Sequence, residues 1–315
     1  MLRFNTEPIA EIMETLSRET LSRVTGGDRQ TAVTFELPIL PLDADAYPGE
    51  EVYTAFGPLR FRTLQNVTDM ADALNCQLYP MSQTGPWMRF TLMPRSLPDR
   101  WHTATGGSES DSEKYGASSA YQRIPKLEDP CFYGDLTRSL KDISIEQRHQ
   151  LISLGVNTGD ELLPVYRLNP GMHCTGIDHS QSALAIARQR FEPSCSEFVQ
   201  MDINQIHAID EAYLHRYDVF MSLGTLHSPG VDSKRVFMWC MQHLLVRGAA
   251  VIVGFPNCRW TGGQVVYGAR TRNRSEMDLS LVVKDIHFIK KYLQQHRFKV
   301  TVFGKYYLFV VGTPV

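Results

Sequence analysis

Two strand-like runs near the C-terminus, 298–303 and 306–312, are separated by only Gly304-Lys305. A parallel crossover needs a dozen or more residues, so these runs must pair as an antiparallel hairpin. Upstream the pattern differs. From Leu151 strand-length apolar runs alternate with amphipathic helical stretches. Strands are predicted at 151–156, 173–178, 196–201, 217–222 and 248–254, and helices at 159–168, 181–190, 203–212, 232–246 and 282–295. Such alternation specifies a parallel sheet with helices on both faces. The expected fold is therefore α/β, a seven-stranded mostly parallel sheet with an antiparallel terminal strand. An all-parallel nicotinamide-binding domain is disfavoured by the same hairpin.

The first of these strands runs into Ser153-Leu-Gly-Val-Asn-Thr-Gly159 and then a helix start. Glycines at such a turn let the backbone approach a ligand, and a following helix offers free N–H groups. Gly-x-Asn-x-Gly alone is a degenerate motif. The next strand, Thr175-Gly-Ile-Asp178, ends in an acid 23 residues beyond Gly155. A carboxylate at that spacing suits a ribose diol. A third strand, Val199-Gln-Met-Asp202, also ends in an acid.

With Tyr217-Asp-Val-Phe-Met-Ser-Leu-Gly224 added, the chain from Leu151 to its end resembles the class I S-adenosylmethionine-dependent methyltransferases. The resemblance covers about half the chain and implies that fold, with S-adenosylmethionine as cofactor. By position it implies a turn of Gly155, Asn157 and Gly159 beside the methionine part, Asp178 on the ribose, Asp202 facing the adenine amino group, and Ser222 near the methyl donor. Two positions depart from the family pattern. Ser153 stands where an acid is common, and Asn157 where the central glycine is usual. They mark either weakened cofactor binding or a subfamily with its own turn.

Ligands in open α/β sheets lie beyond the carboxyl ends of the strands. His227, in the loop after the fourth strand, is the candidate general base, since its reference pKa lies near neutrality. After the fifth strand comes an unusual polar stretch carrying Asn257, Arg259, Trp260, Tyr267 and Arg270, with Arg272 and Arg274 beyond. Arginine forks and aromatic faces suit phosphates and bases, which makes these the candidate substrate contacts. The competing reading is a basic loop with Trp260 and Tyr267 packed into the core. The acceptor is expected to be a small molecule or a nucleic acid. The alternative function is a catalytically degenerate methyltransferase fold that binds RNA or another anion.

Charge supports an anionic partner by its distribution. The net charge is −2, but residues 256–315 carry +7 and the remainder −9. A basic face of that kind can steer an anionic substrate. The six cysteines are scattered without a C-x-x-C pair, so reduced thiols and no metal site are expected. No apolar run approaches the roughly 18 residues of a membrane span, and Met1-Leu-Arg-Phe-Asn-Thr shows no signal-peptide pattern. A cytoplasmic protein without membrane contact is the expectation.

Residues 1–95 read as a small α+β module, with a helix at 8–24 and strands near 31–36, 59–64, 76–81 and 87–93. It holds no catalytic constellation and is expected to serve dimerisation, giving a homodimer, or substrate presentation. Residues 96–135 read as a linker and lid containing Tyr115, Tyr121 and Arg123, and residues 136–315 as the methyltransferase domain.

Overall fold

The computed structural model describes residues 1–25, 32–39, 46–95, 113, 115–261, 264–268 and 279–315. They divide into two compact units: Met1–Pro98 with Thr261–Gln264, and Asp99–Trp260 with Val265–Val315. Among the described residues no helix is long and apolar enough to cross a membrane.

In the first unit the elements are β1 (Leu2–Arg3), α1 (Ile9–Thr25), β2 (Val33–Pro38), β3 (Glu51–Thr54), β4 (Gly57–Arg60), α2 (Leu64–Ala73), β5 (Cys76–Thr84) and β6 (Trp87–Pro94). Four of the strands form a sheet in the order β1-β2-β6-β5, while β3 and β4 pair separately as a hairpin. Ile12 and Leu16 of α1 are one helical turn apart, and with Val67 and Met70 of α2 they pack on Phe35, Leu37, Phe90 and Leu92 of the sheet. Thr63 starts α2 with a reciprocal cap: its hydroxyl accepts from Asn66 N while the Asn66 side chain accepts from Thr63 N.

The second unit begins with α3 (Pro130–Asp142), then β7 (Gln150–Leu154), α4 (Leu162–Leu168), β8 (His173–Asp178), α5 (Gln181–Arg190), β9 (Ser196–Gln200) and β10 (Tyr217–Leu223). It continues through α6 (Ser233–His243), β11 (Leu245–Pro256), a hairpin of β12 (Cys258–Thr261) and β13 (Gln264–Tyr267), α7 (Ser280–Gln295), β14 (Phe298–Phe303) and β15 (Tyr307–Pro314). Seven strands form one sheet in the order β14-β15-β11-β10-β7-β8-β9. All neighbours from β9 to β11 are parallel, and β15 runs antiparallel to both β11 and β14. This is the expected α/β architecture, a seven-stranded mostly parallel sheet with an antiparallel terminal strand, and the last two strands form a hairpin through Gly304-Lys305-Tyr306.

Period-two alternation sends successive side chains to opposite faces, and helices cover both. Leu151, Val219, Met221 and Ile252 meet α3, α4 and α5 through Phe132, Leu162 and Leu184. Ile152, Phe220, Val251 and Val253 meet α6 and α7 through Phe237 and Leu293. Strand order reverses between β7 and β10, which opens the crevice where such sheets take ligands.

Three local readings need correction. The helix expected at 203–212 is two 3₁₀ turns, Ile203–Ala208 and Glu211–Tyr213. Asp202 and Asp210 cap them, accepting from Asn204 N and Ala212 N, and short acids that bond the nearby backbone interrupt a continuous helix. The stretch after β11 is not a loop throughout, because β12 and β13 form a hairpin within it. A helix not expected there, α3, begins inside the segment read as linker. Asp129 caps it by accepting from Phe132 N, and Pro130 occupies its first turn.

Candidate functional site

The turn after β7 has three left-handed residues at alternate positions: Gly155 (φ 72°), Asn157 (φ 51°) and Gly159 (φ 80°). A Cβ on Gly155 would lie 1.9 Å from Thr225 Oγ1, so only glycine fits there. Asparagine is among the few residues that tolerate this backbone, which accounts for Asn157 at the central position. Gly155 N and Val156 N donate to Ile177 O at 2.7 and 3.1 Å, tying the turn to the end of β8.

Asp178, at that strand end, is 6% exposed. One carboxylate oxygen accepts from Asn157 N at 2.8 Å and the other from Ser180 N at 2.9 Å. Each oxygen keeps a further lone pair. Gly155, Asn157, Gly159 and Asp178 are thus brought into one hydrogen-bonded unit.

The Asn157 side chain is engaged as well. Its Nδ2 donates to Tyr115 O at 2.8 Å, and Gln122 Nε2 donates to its Oδ1 at 2.6 Å. Close by in sequence, Glu113 accepts from the Ser182 hydroxyl and from Ser180 Oγ at 3.1 Å, and Ala117 N donates to Ser182 Oγ. These hydrogen bonds hold the Glu113 carboxyl below the usual carboxylate range. The segment around Tyr115–Gln122 is therefore strapped onto the glycine turn and the first turn of α5.

Two charged side chains that the sequence reading missed complete the site. Lys126 is 8% exposed and Glu161 3% exposed. Both line one small pocket together with Tyr121, Val156, Asn157 and Asp160. Burial pushes the Glu161 carboxyl up to about 7, although the Lys126 charge pulls the other way. Ser153 Oγ donates to Glu161 Oε1 at 3.4 Å. A carboxylate thus stands against Ser153, the position at which the resemblance implies an acid. Burial disfavours the Lys126 ammonium, but Tyr121 and Glu161 outweigh it and hold its pKa above the ordinary value. The ammonium also lies 5.2, 5.9 and 6.0 Å from the ring centres of Tyr121, Phe132 and Tyr307.

The other sequence candidates are dispersed. Asp202 is exposed at the end of β9 and caps the turn that follows. Ser222 is fully buried in β10 and donates to Leu154 O at 3.3 Å, fastening β10 to β7. His227 lies half-buried in the loop after β10, three residues past Gly224. Asn257 Nδ2 donates to Lys305 O, Trp260 Nε1 to Tyr306 OH and Tyr267 OH to Asp129 Oδ2, and both rings pack against the core. Arg259 is half-buried in β12, and Arg270 lies outside the described residues. Burial pushes the Cys258 thiol up to about 12, so it is no thiolate nucleophile near neutrality.

No family model and no curated protein matches this chain. Among solved structures it is similar to an S-adenosylmethionine-dependent methyltransferase from Mesorhizobium loti at 15% identity, covering 59% of this chain and 99% of that one, with a TM-score of 0.43. A second, from Aquifex aeolicus, is 16% identical over 62% of this chain and 98% of the other, with a TM-score of 0.44.

Proposed function

We propose that the second unit binds S-adenosylmethionine and transfers its methyl group to an oxygen or nitrogen acceptor. One observation supports this most: the glycine turn, the Asp178 carboxylate, and the buried Lys126 and Glu161 all gather where β7 and β8 end. The donor set fits an amino acid joined to a nucleoside. Lys126 would meet the α-carboxylate, Glu161 the α-ammonium, and Asp178 a ribose diol through its remaining lone pairs. S-adenosylmethionine brings a methyl group already activated on a sulfonium.

The chain's own residues then have to orient and desolvate. Gly155 and Gly159 give the backbone its close approach, and Asn157 holds the segment that closes over the turn. Holding the acceptor in line with the methyl group supplies most of the catalysis in such a reaction. Where the acceptor must lose a proton, His227, in the loop beyond β10, would be the residue to take it. Asn257 and Arg259 follow at the end of β11. The +7 charge of residues 256–315 favours an anionic acceptor, a small molecule or a nucleic acid.

Equilibrium dialysis with labelled S-adenosylmethionine tests the reading. Wild type should retain one equivalent at micromolar affinity, and Asp178→Ala should lose about 10- to 100-fold, as expected for hydrogen bonds to a charged group. A folded wild type that retains no label would overturn it and leave the anion-binding reading. That reading predicts RNA binding that weakens steeply with salt.

A further inference from the structure

The first unit holds a cavity of about 520 Å³ that plays no part in the proposed chemistry. Small-molecule sites commonly fall between ~300 and ~1,000 Å³. Its walls are apolar: Pro8, Ile9 and Met13 at the start of α1, Pro48, and Met70 and Ala73 of α2. Two arginines, Arg60 and Arg62, line it as well.

Arg62 is the unusual one. It is 3% exposed, yet its hydrogen bonds run to main-chain carbonyls, Glu7 O at 2.5 Å and Arg60 O at 3.3 Å. Among the described residues no carboxylate pairs with it within 4 Å. A buried charge is ordinarily paired, because desolvating an unpaired ion is costly. Arg60 adds a second positive charge beside it, compensated in part by Glu51 at 3.6 Å. Burial and the Arg60 charge lower the Arg62 pKa, against a smaller opposing pull from the Glu7 carboxylate, which forms no ion pair with it. Two carbonyls engage two of the five guanidinium N–H groups, which leaves donors for another partner. Asp69 also contributes to the lining, with its Oδ1 accepting from Gln65 Nε2 at 2.7 Å.

We propose that this cavity binds a small amphiphilic anion, a monocarboxylate whose apolar tail lies against Ile9, Met13 and Met70 and whose head meets Arg62 and Arg60. The ligand's carboxylate supplies the direct ion pair that Glu7 does not make. Its apolar body replaces water along a wall that leaves Ile9 44% exposed.

Decanoate is the probe, titrated into the full chain by calorimetry, with decanol as the uncharged control. Decanoate should bind at one site per chain and at least tenfold more tightly than decanol. Arg62→Gln should weaken it at least tenfold. Because that change touches a buried group, Ile9→Asp is the companion variant: it alters only an exposed wall residue and should weaken decanoate to a similar extent. Lys126→Met, in the other unit, should leave decanoate affinity unchanged. The proposal is overturned by the absence of saturable decanoate binding, by equal binding of decanol, or by an Ile9→Asp variant that binds as wild type does.

Discussion

Among the described residues each unit contains one glutamate that is 3% exposed, and the two behave in opposite ways. Glu36, on β2, is sheathed by Arg3 at 2.6 Å and Arg89 at 2.8 Å, whose side chains are 48% and 39% exposed. Hydrogen bonds from Arg89 and Arg3 drive its pKa below the ordinary value. Its cover is therefore a thin layer of partners at the surface. Glu161 lies deep beside the glycine turn, and burial raises it to about 7 despite Lys126. Low exposure alone does not mark a functional group. What separates the two is that Glu36 is ion-paired directly to two arginines, whereas Glu161 feels Lys126 without an ion pair and lines a pocket with it.

The largest expected effect concerns Glu161 and pH. Its folded pKa of about 7 exceeds the ordinary 4.5, so the folded chain keeps a proton that the unfolded chain releases. The resulting stability is fully present below pH 4.5 and is lost as pH rises to 7, by at most roughly 3 kcal/mol. Thermal melts across that window should show the loss, and Glu161→Gln should remove it. A wild-type curve no steeper than the variant's would erase the distinction between the two glutamates. Next in size is Lys126→Met, which should weaken S-adenosylhomocysteine binding about 10- to 30-fold, the scale of one charge-assisted contact. Fluorescence titration would read it, and unchanged affinity would mean that the pair is structural in both units.

The smallest effect falls on Glu36→Gln. Its partners are half-exposed and can turn to water, so the expected cost is about 1 kcal/mol, measured by urea denaturation. With its folded pKa lowered, Glu36 stabilises above pH 4.5 and loses that contribution as pH falls through the folded value. The two glutamates should thus respond at opposite ends of the acid range. A loss of several kcal/mol in Glu36→Gln would show that the arginine sheath matters more than its exposure suggests.

The sheet was legible in the sequence because its strands are long apolar runs and its last connection, three residues in the structure, is too short for a crossover. The bounds expected for β8, α5 and β14 match the structure. The turn was legible too, since Gly155 and Gly159 are required by backbone and close packing. Helix α3 is marked in the sequence by Asp129-Pro130 as a start, then Phe132, Leu136 and Leu140 at helical spacing. Glu161 and Lys126 carried none. They lie 35 residues apart in the sequence, and charged residues are ordinarily exposed, so only the tertiary fold reveals that both are buried on one pocket. Trp260 and Tyr267 show the reverse: their residue types suggested a ligand face, and their hydroxyl and indole partners are Asp129 and Tyr306.

The most direct test of the account is a calorimetric titration of the wild-type chain with S-adenosylhomocysteine at pH 5.5 and pH 7.5. Glu161 must ionise to receive an ammonium group. The account therefore predicts one molecule bound per chain at micromolar affinity, tightening roughly 25-fold between the two pH values. A flat titration with folded protein, or an affinity that is the same at both pH values, would contradict it.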